Sequence, residues 1–142
     1  MFLMRGLPGS GKSTLVNLLE RIYSGSVAVC SADHYFLDSH GVYNFNRDKI
    51  GEAHRVCQQH AEEACRLNRT ILTKASLIVL VFCRNTTLAV IIDNTNIRAD
   101  ECRPYFQKAS QYGYVVIIVE PRTPWKHDVD VLAGTFWVEN SN

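Results

Sequence analysis

MFLMRGLPGSGKSTLVNLLE (Met1–Glu20) decides the fold, through the stretch GLPGSGKST at Gly6–Thr14. Gly6-x-x-x-x-Gly11-Lys12-Ser13 matches the phosphate-loop pattern in full. Glycines let successive backbone N–H groups converge on a phosphate, and a helix starting near Lys12 adds its positive dipole end. Lys12 then reaches the β/γ oxygens and the Ser13 hydroxyl can ligate Mg²⁺. The pattern needs a strand before it and a helix after it. Phe2-Leu3-Met4 is a short apolar run, and Leu15, Leu18, Leu19 and Ile22 recur at helical spacing.

Working outward, VAVC (Val27–Cys30) reads as a second strand, LAVII (Leu88–Ile92) as a third and YVVIIV (Tyr114–Val119) as a further buried strand. Between them, Lys49–Leu67 carries apolar residues every three or four positions, an amphipathic helix with Asp48 as its N-cap. Arg98–Tyr112 forms another helix if Pro104 lies in its first turns. Short apolar strands alternating with helices describe an α/β fold of three layers, a parallel sheet covered by helices on both faces. A chain of 142 residues is expected to hold a single domain. Ile71–Asn85 interrupts this pattern with a second apolar run, LIVLVF, which reads as an extra strand, a buried helical turn or an exposed run that invites aggregation.

Composition limits the function. The net charge of +1 provides no basic field that would by itself attract nucleic acid, so any such role rests on a local site. Five cysteines, an odd number with no CxxC pair, fit reduced thiols in an intracellular protein, cytoplasmic or nuclear. MFLMRG is too short an apolar run for a signal peptide and Leu77–Phe82 too short to span a bilayer, so no membrane role is expected.

Two carboxylates complete the candidate site. Asp93 follows the LAVII strand, where an acid can hold Mg²⁺ through water, and Asn94, Thr95 and Asn96 extend it into a polar cluster at the sheet's carboxyl edge. Asp33 leaves the VAVC strand beside the loop, placed to take a proton from an attacking hydroxyl. Either acid can alternatively be a turn residue. Trp125, Tyr35, Phe36, Tyr43 and Phe45 can stack on bases or close over the core. Cys57-x-x-His60 has no second ligand pair at suitable spacing and reads as helix packing.

GLPGSGKST, SADHYF, HGVYNFNRDKIGEAH, VIIDNTN and VEPRTPWKHDVDVLA, in that order, resemble the polynucleotide-kinase-like branch of the P-loop kinases. They are similar in particular to the kinase-like domain of the NEDD-binding protein two-like family, and SAD and VEP-T-W recur in the myelin cyclic-nucleotide phosphodiesterases. The resemblance runs from Phe2 to about Ala133, apart from Ile71–Asn85. It implies a P-loop NTPase-type sheet, ATP and Mg²⁺ as cofactors, and γ-phosphoryl transfer to the 5′-hydroxyl of a polynucleotide. Gly6, Pro8, Gly9, Ser10, Gly11, Lys12, Ser13 and Thr14 would then cradle the nucleotide. Lys12 and Asp33 would be catalytic, Ser13 and Asp93 would hold the metal, and Asn94, Thr95 and Asn96 would line the site.

Phe36 stands where phage-type polynucleotide kinases carry a substrate-holding arginine, and GTFWVENSN stands where the family continues into an arginine-rich lid, so the lid is expected to be truncated. Two other readings therefore stay open: a nucleotide-binding module with weak or no catalysis that engages a protein or RNA, and a small-metabolite kinase on the same scaffold.

Overall fold

The computed structural model describes residues 1–23, 27–74, 89–126, 128 and 130–132, with side chains left aside at 68–74. Among the described residues four strands, β1 (Phe2–Met4), β2 (Val27–Cys30), β3 (Ala89–Ile92) and β4 (Ile117–Val119), pair in parallel in the order β2-β3-β1-β4. The helices are α1 (Lys12–Ile22), α2 (Ile50–Lys74) and α3 (Ala99–Tyr112), with 3₁₀ turns at Asp33–Phe36 and Arg47–Lys49.

Strand side chains alternate between the faces, and the two faces carry separate cores. Leu3, Val90 and Ile92 pack against Ala53, Cys57, Ala61 and Cys65 of α2 and Cys102, Tyr105 and Ala109 of α3. Phe2, Met4, Ala89 and Ile91 meet Val16, Leu15 and Leu19 of α1 on the other face. Layers of helix, sheet and helix follow, as the alternating apolar runs imply. β1 and β3 read as unbroken apolar sequence because every residue in them is buried. The small residues along α2 let it approach the sheet closely. Cys30, Cys57, Cys65 and Cys102 are buried free thiols, and burial pushes Cys30 up to about 12 and Cys65 to about 11, so these two are poor nucleophiles.

The structure differs from the sequence reading at three places. Tyr114–Val119 is not a buried strand. Only Ile117–Val119 pairs, at the sheet edge, and Ile117 and Ile118 remain exposed. One neighbour, β1, covers one side of β4, and among the described residues no strand pairs with the other. The cap before α2 is Asn46 rather than Asp48: its side chain accepts the Asp48 N–H at 2.9 Å and starts the 3₁₀ turn that runs into the helix. α2 also continues to Lys74, taking in the first residues of the Ile71–Asn85 stretch. The remainder of that stretch and the region expected to hold the truncated lid, from residue 133 onward, lie outside the described residues.

Candidate active site

Because all four strands run in parallel, the loops that follow them gather at one edge of the sheet. Order reverses around β1, with β3 on one side and β4 on the other, which is where open α/β sheets bind ligands. The glycine loop leaves β1 at this point.

Gly6, Gly9 and Gly11 have φ of 143°, 74° and 96°, conformations that L side chains rarely adopt. Gly11 is the N-cap of α1, no side chain caps the helix, and its first turn has no acidic residue. Its leading N–H groups are therefore open to an anion at the positive end of the helix dipole. The Lys12 ammonium folds back over the loop and donates to the Leu7 carbonyl at 2.9 Å. The Ser10 hydroxyl is buried with no hydrogen-bond partner among the described residues. Left-handed glycines, open helix amides and an unpartnered buried hydroxyl together fit a polyphosphate.

The other loops hold this cradle in shape. The Gly6 N–H donates to the Thr95 carbonyl at 3.0 Å and the Arg5 N–H to Val119 at 2.8 Å. From the loop after β4, the Thr123 hydroxyl donates to the Ser10 carbonyl at 3.0 Å, and the Trp125 indole N–H to the Gly9 carbonyl at 3.4 Å. A Cβ on Gly11 would lie 3.3 Å from the Thr123 methyl, in a backbone conformation already unfavourable for alanine. Gly11→Ala is expected to destabilise the fold by about 1–2 kcal/mol, with a lower Tm in thermal denaturation. Gly41→Ala is the control, since Gly41 has φ of 78° but no atom within 4 Å of its added Cβ. An equal loss at both would show that Thr123 packing contributes nothing.

Asp93 and Asp33 are brought side by side by register. Cys30 pairs with Ile92, and the Asp93 N–H donates to the Cys30 carbonyl at 2.9 Å. Burial pushes the Asp93 carboxyl up, the Lys12 ammonium pulls it back, the Asp33 charge raises it and His34 lowers it. Lys12, Asp33, His34 and Asp93 thus form one electrostatic cluster. Asp33 is exposed at the start of its 3₁₀ turn, where Oδ1 accepts the Tyr43 hydroxyl at 3.2 Å and the Ser31 hydroxyl takes its N–H at 3.2 Å.

A raised carboxyl makes the folded state the stronger proton binder, so stability falls as pH rises through the window above the unfolded carboxylate value. At neutral pH the half-buried Asp93 charge works against folding. Asp93→Asn is expected to raise the Tm of the ligand-free protein at pH 7, measured by thermal denaturation. The gain should vanish as pH is lowered through that window.

Asn94 and Asn96 sit at this edge, yet their side chains face inward. Asn94 Oδ1 accepts the Ala32 N–H at 2.9 Å, and its amide donates to Tyr105 Oη at 3.2 Å and Cys57 Sγ at 3.4 Å. It fastens the loop carrying Asp33 to β3, α2 and α3. Asn96, with φ of 47°, donates to the Met4 carbonyl at 2.7 Å and steadies the start of the glycine loop. Thr95 acts through its carbonyl on Gly6. Ser13 and Thr14 occupy the first exposed turn of α1, and exposed Pro8 lies in the loop. His34, Tyr43, Thr123 and Trp125 join the site from remote loops. His34 adjoins Asp33 in sequence, and Tyr43, Thr123 and Trp125 lie in stretches that the family resemblance of the sequence already marks.

Beside Asp33 lies an aromatic cluster. Phe36 is buried and packs edge-on to Tyr35 and Tyr43 and tilted against Phe45. Tyr43 and Phe45 stack at 6.4 Å and 15°, both exposed. The glycine loop and the first turn of α1, with Trp125 and Val131, line a cleft of about 510 Å³. That volume lies in the range of small-molecule sites.

Comparison with known proteins places this geometry. The family model described as an AAA domain matches residues 1–128. Human (Homo sapiens) NEDD4-binding protein 2 is 35% identical over 133 residues, 94% of this chain and 6% of the relative. The 2′,3′-cyclic-nucleotide 3′-phosphodiesterase of Rattus norvegicus is 33% identical over 128 residues, 90% of this chain and 25% of the relative. The chain therefore spans a quarter or less of the length of these two relatives. Among solved structures, a mutant APS kinase of Mycobacterium tuberculosis aligns with a TM-score of 0.51 at 17% identity, covering 98% of this chain and 94% of that one. At that identity the likeness concerns the fold.

Proposed function

Since the chain belongs to the AAA domain family, in its polynucleotide-kinase-like branch of P-loop kinases, we propose that it binds ATP with Mg²⁺ and transfers the γ-phosphoryl group to the 5′-hydroxyl of a polynucleotide. The observation that carries this reading is the convergence of Lys12, Asp33 and Asp93 at one sheet edge, close enough that the Asp93 carboxyl responds to both of the others. A phosphate cradle alone serves any nucleotide-binding protein. A lysine, an acid that can hold the metal and a second, exposed acid beside it supply the parts that phosphoryl transfer to a hydroxyl uses.

Asp33 accepts the proton of the acceptor hydroxyl as the new P–O bond forms and the bond to the leaving diphosphate breaks. Tyr43, donating to Asp33 Oδ1, holds the carboxylate in position. Lys12 offsets charge on the transferring phosphoryl, and the open amides at the α1 N-terminus hold the phosphate chain. Ser13 and Asp93 would hold Mg²⁺, which when bound neutralises charge on the phosphates. Among the described residues no group of three His, Cys, Asp or Glu side chains is arranged to hold a metal ion by itself. Such a group is not required, since Mg²⁺ in nucleotide sites uses one or two carboxylates with phosphates and waters. The exposed Tyr43–Phe45 stack beside Asp33 favours an acceptor that carries bases.

A second reading, a binding module that transfers nothing, is favoured by Phe36. Its ring is the buried centre of the aromatic cluster, so the position expected to hold an arginine offers packing and no charge. Among the described residues no helix is long and apolar enough to cross a membrane. An intracellular setting fits the reduced thiols, and a protein partner fits the binding recorded in the human relative's name.

Incubation with γ-labelled ATP, Mg²⁺ and a 5′-hydroxyl oligonucleotide tests the proposal. Label is expected on that oligonucleotide and absent from the same strand carrying a 5′-phosphate. ATP-induced stabilisation without transfer would favour the binding module, and transfer to a small hydroxyl compound alone would move the acceptor to the metabolite class.

A further inference from the structure

We propose that Tyr105 is a positioning residue for the acceptor side of the site: its buried hydroxyl sets the Asn94 side chain, and Asn94 in turn holds the segment that carries Asp33. The inference rests on the reading of Asp33 as general base given above and adds a residue of α3 to it.

Asn94 Oδ1 accepts the Ala32 N–H at 2.9 Å, one residue before Asp33. The amide nitrogen carries two protons and meets two acceptors, Tyr105 Oη at 3.2 Å and Cys57 Sγ at 3.4 Å. Tyr105 gives its own proton to Cys57 Sγ at 3.3 Å, which leaves its oxygen lone pairs for Asn94. Burial pushes both the Tyr105 hydroxyl and the Cys57 thiol up, so both keep their protons at neutral pH. An amide turned over by half a rotation would set its NH₂ group against the Ala32 N–H, donor against donor. The network therefore selects one orientation of Asn94, the one that grips Ala32. Tyr105 is 1% exposed and lies under the site rather than in it, so its influence passes through Asn94.

The segment so gripped is short. Ala32 is buried, its carbonyl accepts the Tyr35 N–H at 3.1 Å, and Asn94 takes its N–H. Without the correctly turned amide that buried N–H loses its acceptor, a cost the segment can escape only by shifting. Asp33 follows directly. The glycine loop is held separately, by the Thr95 carbonyl, Thr123 and Trp125. Loosening the network should therefore reach the acceptor side and spare the donor.

Tyr105→Phe keeps the ring and removes the hydroxyl. In the ligand-free variant the Ala32 amide, followed by NMR, is expected to exchange about 2- to 10-fold faster, the factor that one ordinary hydrogen bond supplies. The Gly6 amide, bonded to the Thr95 carbonyl, should keep its rate. With labelled ATP and a 5′-hydroxyl oligonucleotide, kcat should fall about 10- to 100-fold, the scale of an ångström misplacement, with KM for ATP unchanged. In the Asp33→Asn background the same substitution should cost less than about threefold more, because the group it positions is already gone. Cys57→Ala, which removes the weaker sulfur acceptor, should give the same pattern with a smaller loss.

An unchanged Ala32 exchange rate, or equal acceleration at Gly6, would overturn the inference, since Tyr105 would then serve the fold as a whole. A full further loss in the Asp33→Asn background would overturn it too, because Tyr105 would be acting on another group. If wild type transfers and Tyr105→Phe transfers equally fast, the general-base reading stands and only this inference is lost. If wild type transfers nothing, the general-base reading fails and takes this inference with it.

Discussion

Lys12→Ala is expected to abolish nucleotide-induced stabilisation and to reduce phosphoryl transfer by at least 10²- to 10³-fold, the loss typical when one preorganised charge or donor is removed from a transition state. Wild-type protein at ATP about a hundredfold above its Kd should gain about 2.7 kcal/mol of stability, visible as a higher Tm. The variant should show no rise at the same concentration. Two losses combine. The ammonium no longer faces the phosphates, and Asp93, which Lys12 holds down against burial and the Asp33 charge, is left beside another acid. Without ligand the variant should also be less stable, since the side chain's partly buried bond to the Leu7 carbonyl and its pull on Asp93 are both lost. Lys12→Arg should not restore transfer, because a planar guanidinium cannot replace a compact ammonium under a tight loop. A full ATP-dependent Tm shift in Lys12→Ala would remove the loop from the nucleotide site.

Asp33→Asn separates chemistry from binding. It is expected to lower transfer by about 10²- to 10⁴-fold, the usual contribution of a positioned general base, while the ATP-induced Tm shift stays at the wild-type level. Asparagine keeps an oxygen to accept the Tyr43 hydroxyl, and the residue is exposed, so fold and loop geometry should be preserved. Single-turnover rates with labelled ATP and a 5′-hydroxyl oligonucleotide measure the loss. Transfer near the wild-type rate would reassign the proton to another group. If instead Lys12→Ala loses binding and wild type itself transfers nothing, the protein is a nucleotide-binding module. The two substitutions together thus divide the site into the part that holds the donor and the part that activates the acceptor.

Legibility differed between these two parts for a physical reason. Phosphate contacts come from consecutive backbone groups, so the spacing of Gly6, Gly11, Lys12 and Ser13 is itself the geometry. The acids depend on strand register. Asp93 could be placed after an apolar run, but its partnership with Asp33 follows from β2 pairing β3 with Cys30 opposite Ile92. Asn94 and Asn96 show the limit most clearly: a polar DNTN run at a sheet edge suggested ligand contact, whereas both side chains turn inward to tie the frame together. Composition could not distinguish these uses, because an amide that binds a ligand and one that satisfies buried backbone are the same residue. The edge position of β4 was hidden likewise, since an apolar run looks the same with one paired neighbour or two.

By itself the sequence determined the layered α/β architecture, the parallel sense of the sheet and the glycine loop between β1 and α1, all of which depend on local periodicity and on glycines at set spacing. Tertiary structure alone decided that Lys12, Asp33 and Asp93 share one electrostatic cluster, that Tyr43 steadies Asp33, and that Thr123 and Trp125 hold the loop from 113 and 116 residues away. Those contacts join segments remote along the chain, and no period or short spacing encodes them. They exist because parallel pairing carries four separate loops to the same edge of the sheet.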